Sequence, residues 1–377
     1  MNSLLKQIFF LTLLISSINS SGQDIPLSPN AKVSVITCDT GNESYSLFGH
    51  TALRITDTDN NLDVVYNYGA FDFSTPNFVA KFAKGDLQYF VIAHSFSDFI
   101  GQYTFEQRSV YEQQLNISVA YKQKLFDNLN KALASEERYY TYKFIDKNCT
   151  SMVVEMLNKT LGSKVIFKKE DTDKTYRTIL YPYFDNSFYQ KLGTSIIFGC
   201  KVDQLGTQIF LPLELHKSLQ KTKFENHLLS KESVTLLDFK KEPSSSWWDN
   251  IYTFIAFLGL IVIINKKSVD LAYFTLMGLL GLFFAFMGFY SLHHELAKNY
   301  NILLFNPFLL VLLYFIYIKN KKWIINISYL NILFLFLYIG LMVNKIHFWI
   351  VLPLIITSSI LLIKMIFRNS KRIPVII

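Results

Sequence analysis

Along the last third of the chain the apolar positions run almost without interruption, in five stretches at 247–264, 271–292, 302–318, 323–343 and 347–367. Short charged loops separate them. A helix needs roughly 20 apolar residues to cross the hydrocarbon core of a bilayer, and each stretch comes near that length, the third being the shortest. Five in succession with almost no interior charge predict membrane spans rather than buried core helices.

Upstream of residue 247 the pattern is of a different kind. "AKVSVITC" predicts a strand, "DTGNESYSL" a polar loop and "FGHTALRI" a second strand; "TDTDNN" supplies turn residues before "LDVVYNYGAF" resumes β-branched and aromatic character. With the turn centred between Thr58 and Asp59, antiparallel pairing sets His50 opposite Asn67. "TPNFVAKFAKGDLQYFVIAHSF" reads as a short helix and another strand. In "SVAYKQKLFDNLNKALASEER", Leu125, Leu129, Ala132 and Leu133 recur at helical spacing, which predicts an amphipathic surface helix. "RYYTYKFIDKNCTSMVVEMLNKTLG" is strand-like in its first half and helical in its second, from near Cys149 to Gly162. Residues 163–246 are rich in aromatic and turn residues without strong periodicity and are expected to extend the first domain, ending in the linker-like "KKEPSSS".

Charge adds a topology. Lys266, Lys267, Lys319, Lys321, Lys322, Arg368, Lys371 and Arg372 fall in or beyond alternate loops, against Lys298 and Lys345 in the others, a count of eight to two. Lysine and arginine favour the cytoplasmic side, so residues 23–246 and the loop "HHELAKNYN" are expected outside it. The net charge of +8 is partly these lysines and argues topology more than nucleic-acid binding. No zinc-finger spacing, P-loop or Gly-rich dinucleotide turn is found. Residues 1–22, with an early lysine, an apolar core and small polar residues after it, read as a secretory signal cleaved near residues 20–22. No cysteine follows that core to accept a lipid.

The three cysteines are Cys38, Cys149 and Cys200. One bridge, Cys38 to Cys200, would leave Cys149 as the odd thiol that an oxidising compartment makes worth explaining. Asn148 can cap the helix that begins there, placing the sulfur at the first turn, where unpaired N–H groups and the helix dipole favour the thiolate. A histidine beside it would take the proton and a third polar group would fix the imidazole's tautomer. His50 and Asn67 fill those roles, although a cysteine at a helix start is most often a small buried hydrophobe.

"SLFGHTALRI", "YNYGAFDFSTPNFVAKFAKGDLQY" and "DKNCTS" together resemble the N-terminal periplasmic domain of the Lnb family, lipoprotein N-acyltransferases of Gram-negative bacteria. The order of a strand histidine, a polar strand partner and "NC" opening a helix looks like the circularly permuted NlpC/P60 papain-like fold. The resemblance implies an α+β extracytoplasmic domain (23–162, extended by 163–246) followed by a five-span helical membrane domain (247–377). It carries catalysis over to Cys149 and His50, whereas Asn67 rests on strand geometry. It further implies a phospholipid acyl donor, a diacylglyceryl-cysteine apolipoprotein acceptor, no cofactor, and an inner-membrane location. Smaller expectations fall on Tyr45, Arg54, His293 and His294 as substrate-binding groups, the last two on lipid headgroups. No metal is expected, because consecutive histidines point in different directions on a helix. Two other readings remain open: a membrane-anchored papain-like hydrolase, and a non-enzymatic scaffold.

Overall fold

The structure is a computed structural model describing residues 25–43, 45–240 and 246–370. The expected signal segment lies outside the described residues.

The N-terminal part is built on an antiparallel sheet. β1 (Lys32–Cys38), β2 (His50–Asp57), β3 (Leu62–Ala70), β4 (Gln88–Ser95), β5 (Val110–Gln114), β6 (Tyr139–Thr141) and β9 (Val234–Leu237) are ordered β6-β4-β3-β2-β1-β5-β9. The small hairpin of β7 (Lys223–Phe224) and β8 (His227–Leu228) lies apart. Strand alternation divides the side chains between two faces. Val33, Val35, Leu53, Ile55, Tyr66 and Tyr68 enter one core, with α3 (Val119–Ala134) and α4 (Cys149–Leu161) packed over them. Ile36, Cys38, Ala52 and Val65 enter a second, under α2 (Phe96–Phe105). The short α1 (Phe78–Lys84) precedes β4.

The β2–β3 hairpin pairs Leu53 with Tyr66 and Asp57 with Leu62. That is two residues away from the expected register, because Thr58–Asn60 forms a single 3₁₀ turn capped by Asp57, with Asn61 in the left-handed region closing it. Continuing the pairing brings His50 opposite Gly69, and Asn67 becomes its diagonal neighbour. A shift of two preserves the face, so both side chains still stand on the same side.

Residues 163–246 both complete this domain and attach it to the membrane part. α7 (Pro212–Gln220) puts Leu215 and Leu219 into the first core, and β9 caps the sheet edge. α5 (Tyr176–Leu180) belongs to a separate aromatic cluster with Ile145, Phe184 and Phe210. α6 (Phe188–Ile197) instead buries Leu192 among the membrane helices, with Phe188, Tyr189, Ile196 and Ile197 against them.

The membrane part contains α8 (Ile251–Ile264), α9 (Lys267–Tyr290), α10 (Phe308–Tyr317), α11 (Lys321–Met342) and α12 (Phe348–Ser370). The five expected spans are not five long helices. Three, α9, α11 and α12, are long and apolar enough to cross a bilayer, and a fourth crossing arises only if α10 is joined to the bent segment His294–Leu303. The break there is 42°. At 1.5 Å per residue, the 14 residues of α8 reach about 21 Å, short of a hydrocarbon core of about 30 Å. Lys267, Lys319, Lys321 and Arg368 gather at one end of the bundle, as the loop charges require. The N-terminal domain sits at the other.

Hydrogen bonds at two places in particular hold that domain. At the first, the backbone N–H of Leu292 donates to Lys84 O at 2.7 Å and Ser291 Oγ to Ala83 O at 2.7 Å. At the second, Asp203 accepts from Arg177 Nε (2.6 Å), the Tyr300 hydroxyl (2.6 Å) and Lys345 Nζ (2.8 Å). Gly199 is needed nearby: its N–H donates to Glu295 O at 2.7 Å, and a Cβ on it would lie 2.1 Å from Ala297 O.

Candidate active site

Asn148, in extended conformation, ends the irregular segment after β6 and starts α4. Its side-chain oxygen accepts from the N–H groups of Thr150 (3.0 Å) and Ser151 (3.1 Å), while its own N–H donates to Ser151 Oγ at 2.8 Å. Its amide donates to Phe144 O and Phe210 O. This capping box satisfies three of the four N–H groups that a helix start leaves without intrahelical partners. The fourth belongs to Cys149. Val153, Met156, Leu157 and Leu161 bury the inner face of α4 against the sheet, at about 1.5–3 kcal/mol for each side chain. The cysteine is therefore held at a rigid helix tip.

The structure brings Cys149 and His50 to either side of Gly69, where a Cβ would stand within 4 Å of both side chains, and the two groups influence each other's charge. His50 Nε2 lies 2.5 Å from Asn67 Oδ1. Since that oxygen accepts, Nε2 carries the proton and Nδ1 is left for the thiol. The strand residue between the two side chains is Gly69, at φ 120°, just where β3 slips its pairing with β4. A Cβ there would stand 3.3 Å from His50 Cε1 and 3.7 Å from Cys149 Cβ. Thr51 and Thr150 complete the surroundings. Their hydroxyls are 3.0 Å apart, and Thr150 Oγ1 is 3.9 Å from the sulfur.

Burial works against charge on both groups, and their mutual attraction overcomes it. The Cys149 thiol is held below its ordinary value by the His50 imidazolium and its hydrogen bond, with help from Thr51 and Thr150. The His50 imidazole is raised above its ordinary value by the thiolate and by Asn67. The two titrate as a pair. Both residues are half-buried. Cys38 contrasts with it: burial pushes its thiol up to about 12.

Burial, with a smaller contribution from negative charge on Cys149, holds the phenols of Tyr89, Tyr140 and Tyr142 above their ordinary range. Tyr89 and Tyr142 stack at 4.4 Å.

The remaining expected residues fall elsewhere. Arg54 stands four residues further along β2, about 13 Å at strand rise. Its guanidinium is bound by Asp63 (2.8 Å) and Glu112 (3.3 Å) beneath the Phe96 ring. Tyr45 is exposed on the loop before β2 and takes no part in the Cys149 contacts. His293 is buried and its Nε2 lies 2.9 Å from Phe82 O, with Glu295 at 3.3 Å, so that it docks the membrane loop onto α1. His294 is exposed and leans on Asp146 at 3.2 Å. Cys38 and Cys200 are unbridged, for Cys38 is buried in the second core while the exposed Cys200 donates to Lys298 O at 3.1 Å.

Residues 27–181 match the Lnb N-terminal periplasmic domain, and residues 250–372 match the Lnb transmembrane domain. The chain belongs to the Lnb family. No curated protein and no solved structure matches it. Cys149, His50, Asn67 and Gly69 all lie in the Lnb periplasmic match, and the loop carrying His293 and His294 lies in the Lnb transmembrane match. The segment between the two contains α6 and Asp203, the elements that join them. Membership places this chain among membrane enzymes that modify lipoproteins, with an N-terminal periplasmic part.

Thr51, Thr150, Gly69 and the three tyrosines were not singled out from sequence. Gly69 had a legible signal: a glycine interrupting the strand pattern of "YNYGAF" marks a bulge or a close approach.

Proposed function

We propose that this protein is a lipoprotein N-acyltransferase of the inner membrane, using Cys149 as nucleophile, His50 as base and acid, and Asn67 as the group that positions His50. The observation that carries the reading is the Cys149–His50–Asn67 constellation, standing on a domain fastened to the extracytoplasmic end of a membrane bundle. The helix-borne cysteine packed against a strand-borne histidine is also what supports a permuted papain-like arrangement.

In the first half-reaction the Cys149 sulfur attacks an ester carbonyl of a phospholipid. The carbonyl oxygen becomes an oxyanion, for which the free N–H of Cys149 is the available donor at the helix tip. Collapse breaks the ester C–O bond, His50 gives its proton to the departing alkoxide, and lysophospholipid leaves an acyl thioester behind. In the second, the α-amine of a diacylglyceryl-cysteine attacks that thioester, His50 takes the amine's proton, and the amide forms as the thiolate departs. No net redox change occurs. Cells lacking lipoprotein N-acylation and given this protein are expected to yield lipoprotein N-termini with one added amide-linked chain by mass spectrometry. A free fatty acid product instead would point to a hydrolase, and unchanged N-termini would reject the reading.

The pair also fixes a pH dependence for the first half-reaction. Thiolate is present above the lowered Cys149 pKa, and imidazolium below the raised His50 pKa. The reactive state therefore occupies the window between them and is lost on the acid side as Cys149 protonates. Iodoacetamide alkylation of Cys149, resolved from Cys38 and Cys200 by peptide mass spectrometry, is expected to persist below the ordinary thiol range near about 8.5. In His50→Ala burial remains while the countercharge is gone, so the acid limb moves to higher pH. An unmoved limb would exclude the pairing.

A further inference from the structure

α1 has the sequence FVAKFAK, five apolar residues in seven, yet not one of its residues is buried. Val79 is 76% exposed and Phe82 42%, and being three apart they share one face. Just before the helix, Phe73 is 75% exposed and packs on Phe78 at 5.1 Å. A soluble domain gains nothing from displaying such a cluster to water.

The surroundings of α1 identify what covers it. The C-terminal end of α1 is hydrogen-bonded to Ser291 and Leu292, directly after α9, whose last turns show Phe286, Phe289 and Tyr290 outward, Phe289 at 94%. The apolar display of α1 is thus continuous with the lipid-facing surface of a spanning helix. Lys81 in its last turn suits phosphate groups at that level, while Lys84 is paired with Asp86 at 2.6 Å. Inward, the same cluster leads to the thiol: Phe71 lies 5.7 Å from Phe78 and 5.0 Å from Tyr89, and Tyr89 packs in the core that Cys149 adjoins.

We propose that residues 71–84 form an entry rim seated in the outer leaflet, which draws a phospholipid acyl chain from the bilayer and lays it along Phe71 and Tyr89 toward Cys149. The inference rests on the acyl-transfer reading and adds the route by which the donor arrives.

The full chain is tested in nanodiscs of phosphatidylethanolamine and phosphatidylglycerol. A benzophenone side chain replacing Val79 is expected to crosslink to phospholipid on illumination, whereas one replacing Phe105, exposed on α2, is not. The pair Phe73→Ser and Val79→Ser is expected to slow formation of the Cys149 thioester from bilayer donor by about tenfold or more. Thioester formation from soluble p-nitrophenyl butyrate should stay within about twofold, since nothing buried has changed. Crosslinking of Val79 to protein only, or an unchanged rate with bilayer donor, would overturn the rim. A lipid adduct at Val79 with no thioester from either donor in the unaltered chain would leave the membrane contact standing and remove acyl transfer.

Discussion

Cys149→Ala is expected to abolish N-acylation of lipoproteins while leaving the protein folded and in the membrane. In the proposed mechanism the sulfur is the atom that forms the covalent intermediate, so its loss should lower the rate by at least about 10³-fold, or some 4 kcal/mol of barrier. Stability should hardly change. The first turn of α4 is fixed by Asn148 and Ser151, and its inner face by Val153, Met156 and Leu157, none of which depends on the thiol. The paired measurement is the mass of lipoprotein N-termini in complemented cells together with the variant's thermal unfolding in detergent. Acylation that survives the substitution would reject the covalent route. Loss of acylation with a much lower unfolding temperature would show a folding defect instead.

Gly69→Ala should come close to that effect with no chemical group removed. An alanine at φ 120° is strained by about 1–3 kcal/mol, and its methyl would press on His50 Cε1 at 3.3 Å. The imidazole has little room to yield, since Nε2 is already bound to Asn67. Displacement of about 1 Å in a reacting group costs about 10²-fold, so transfer should fall by that order. A readout specific to this cause is the alkylation profile: weakening the contact between His50 and the sulfur moves the acid limb of Cys149 reactivity upward. A variant with an unmoved limb and full activity would mean that the glycine's small size is not what admits the imidazole.

Much of the site was legible before any coordinates because it depends on local signals. Asn148 and Gly162 bracket α4, and the parity of strand pairing puts His50 and Asn67 on one face even though the turn lies one residue, and the register two residues, from the expected place; a register error of one would have separated them. What sequence could not give is set by partners distant along the chain. Arg54 is neutralised by Asp63 on β3 and Glu112 on β5, and His293 is claimed by Phe82, over two hundred residues away. Apolar composition marked five stretches, but composition does not locate helix breaks. Asn265, in the left-handed region, ends α8 early, and the turn through Asn306 and Pro307 divides the third stretch.

The anchorage at Ser291–Leu292 and at Asp203 gives the domain two footings rather than one, so it is not free to swing on the linker ahead of α8. The sulfur consequently works at a constant altitude over the bilayer. On the proposed mechanism, acceptors would be sorted by elevation: an amine moored a few ångströms above the glycerol level would arrive where the thioester forms, whereas one on a long soluble tail would spend most of its time out of range.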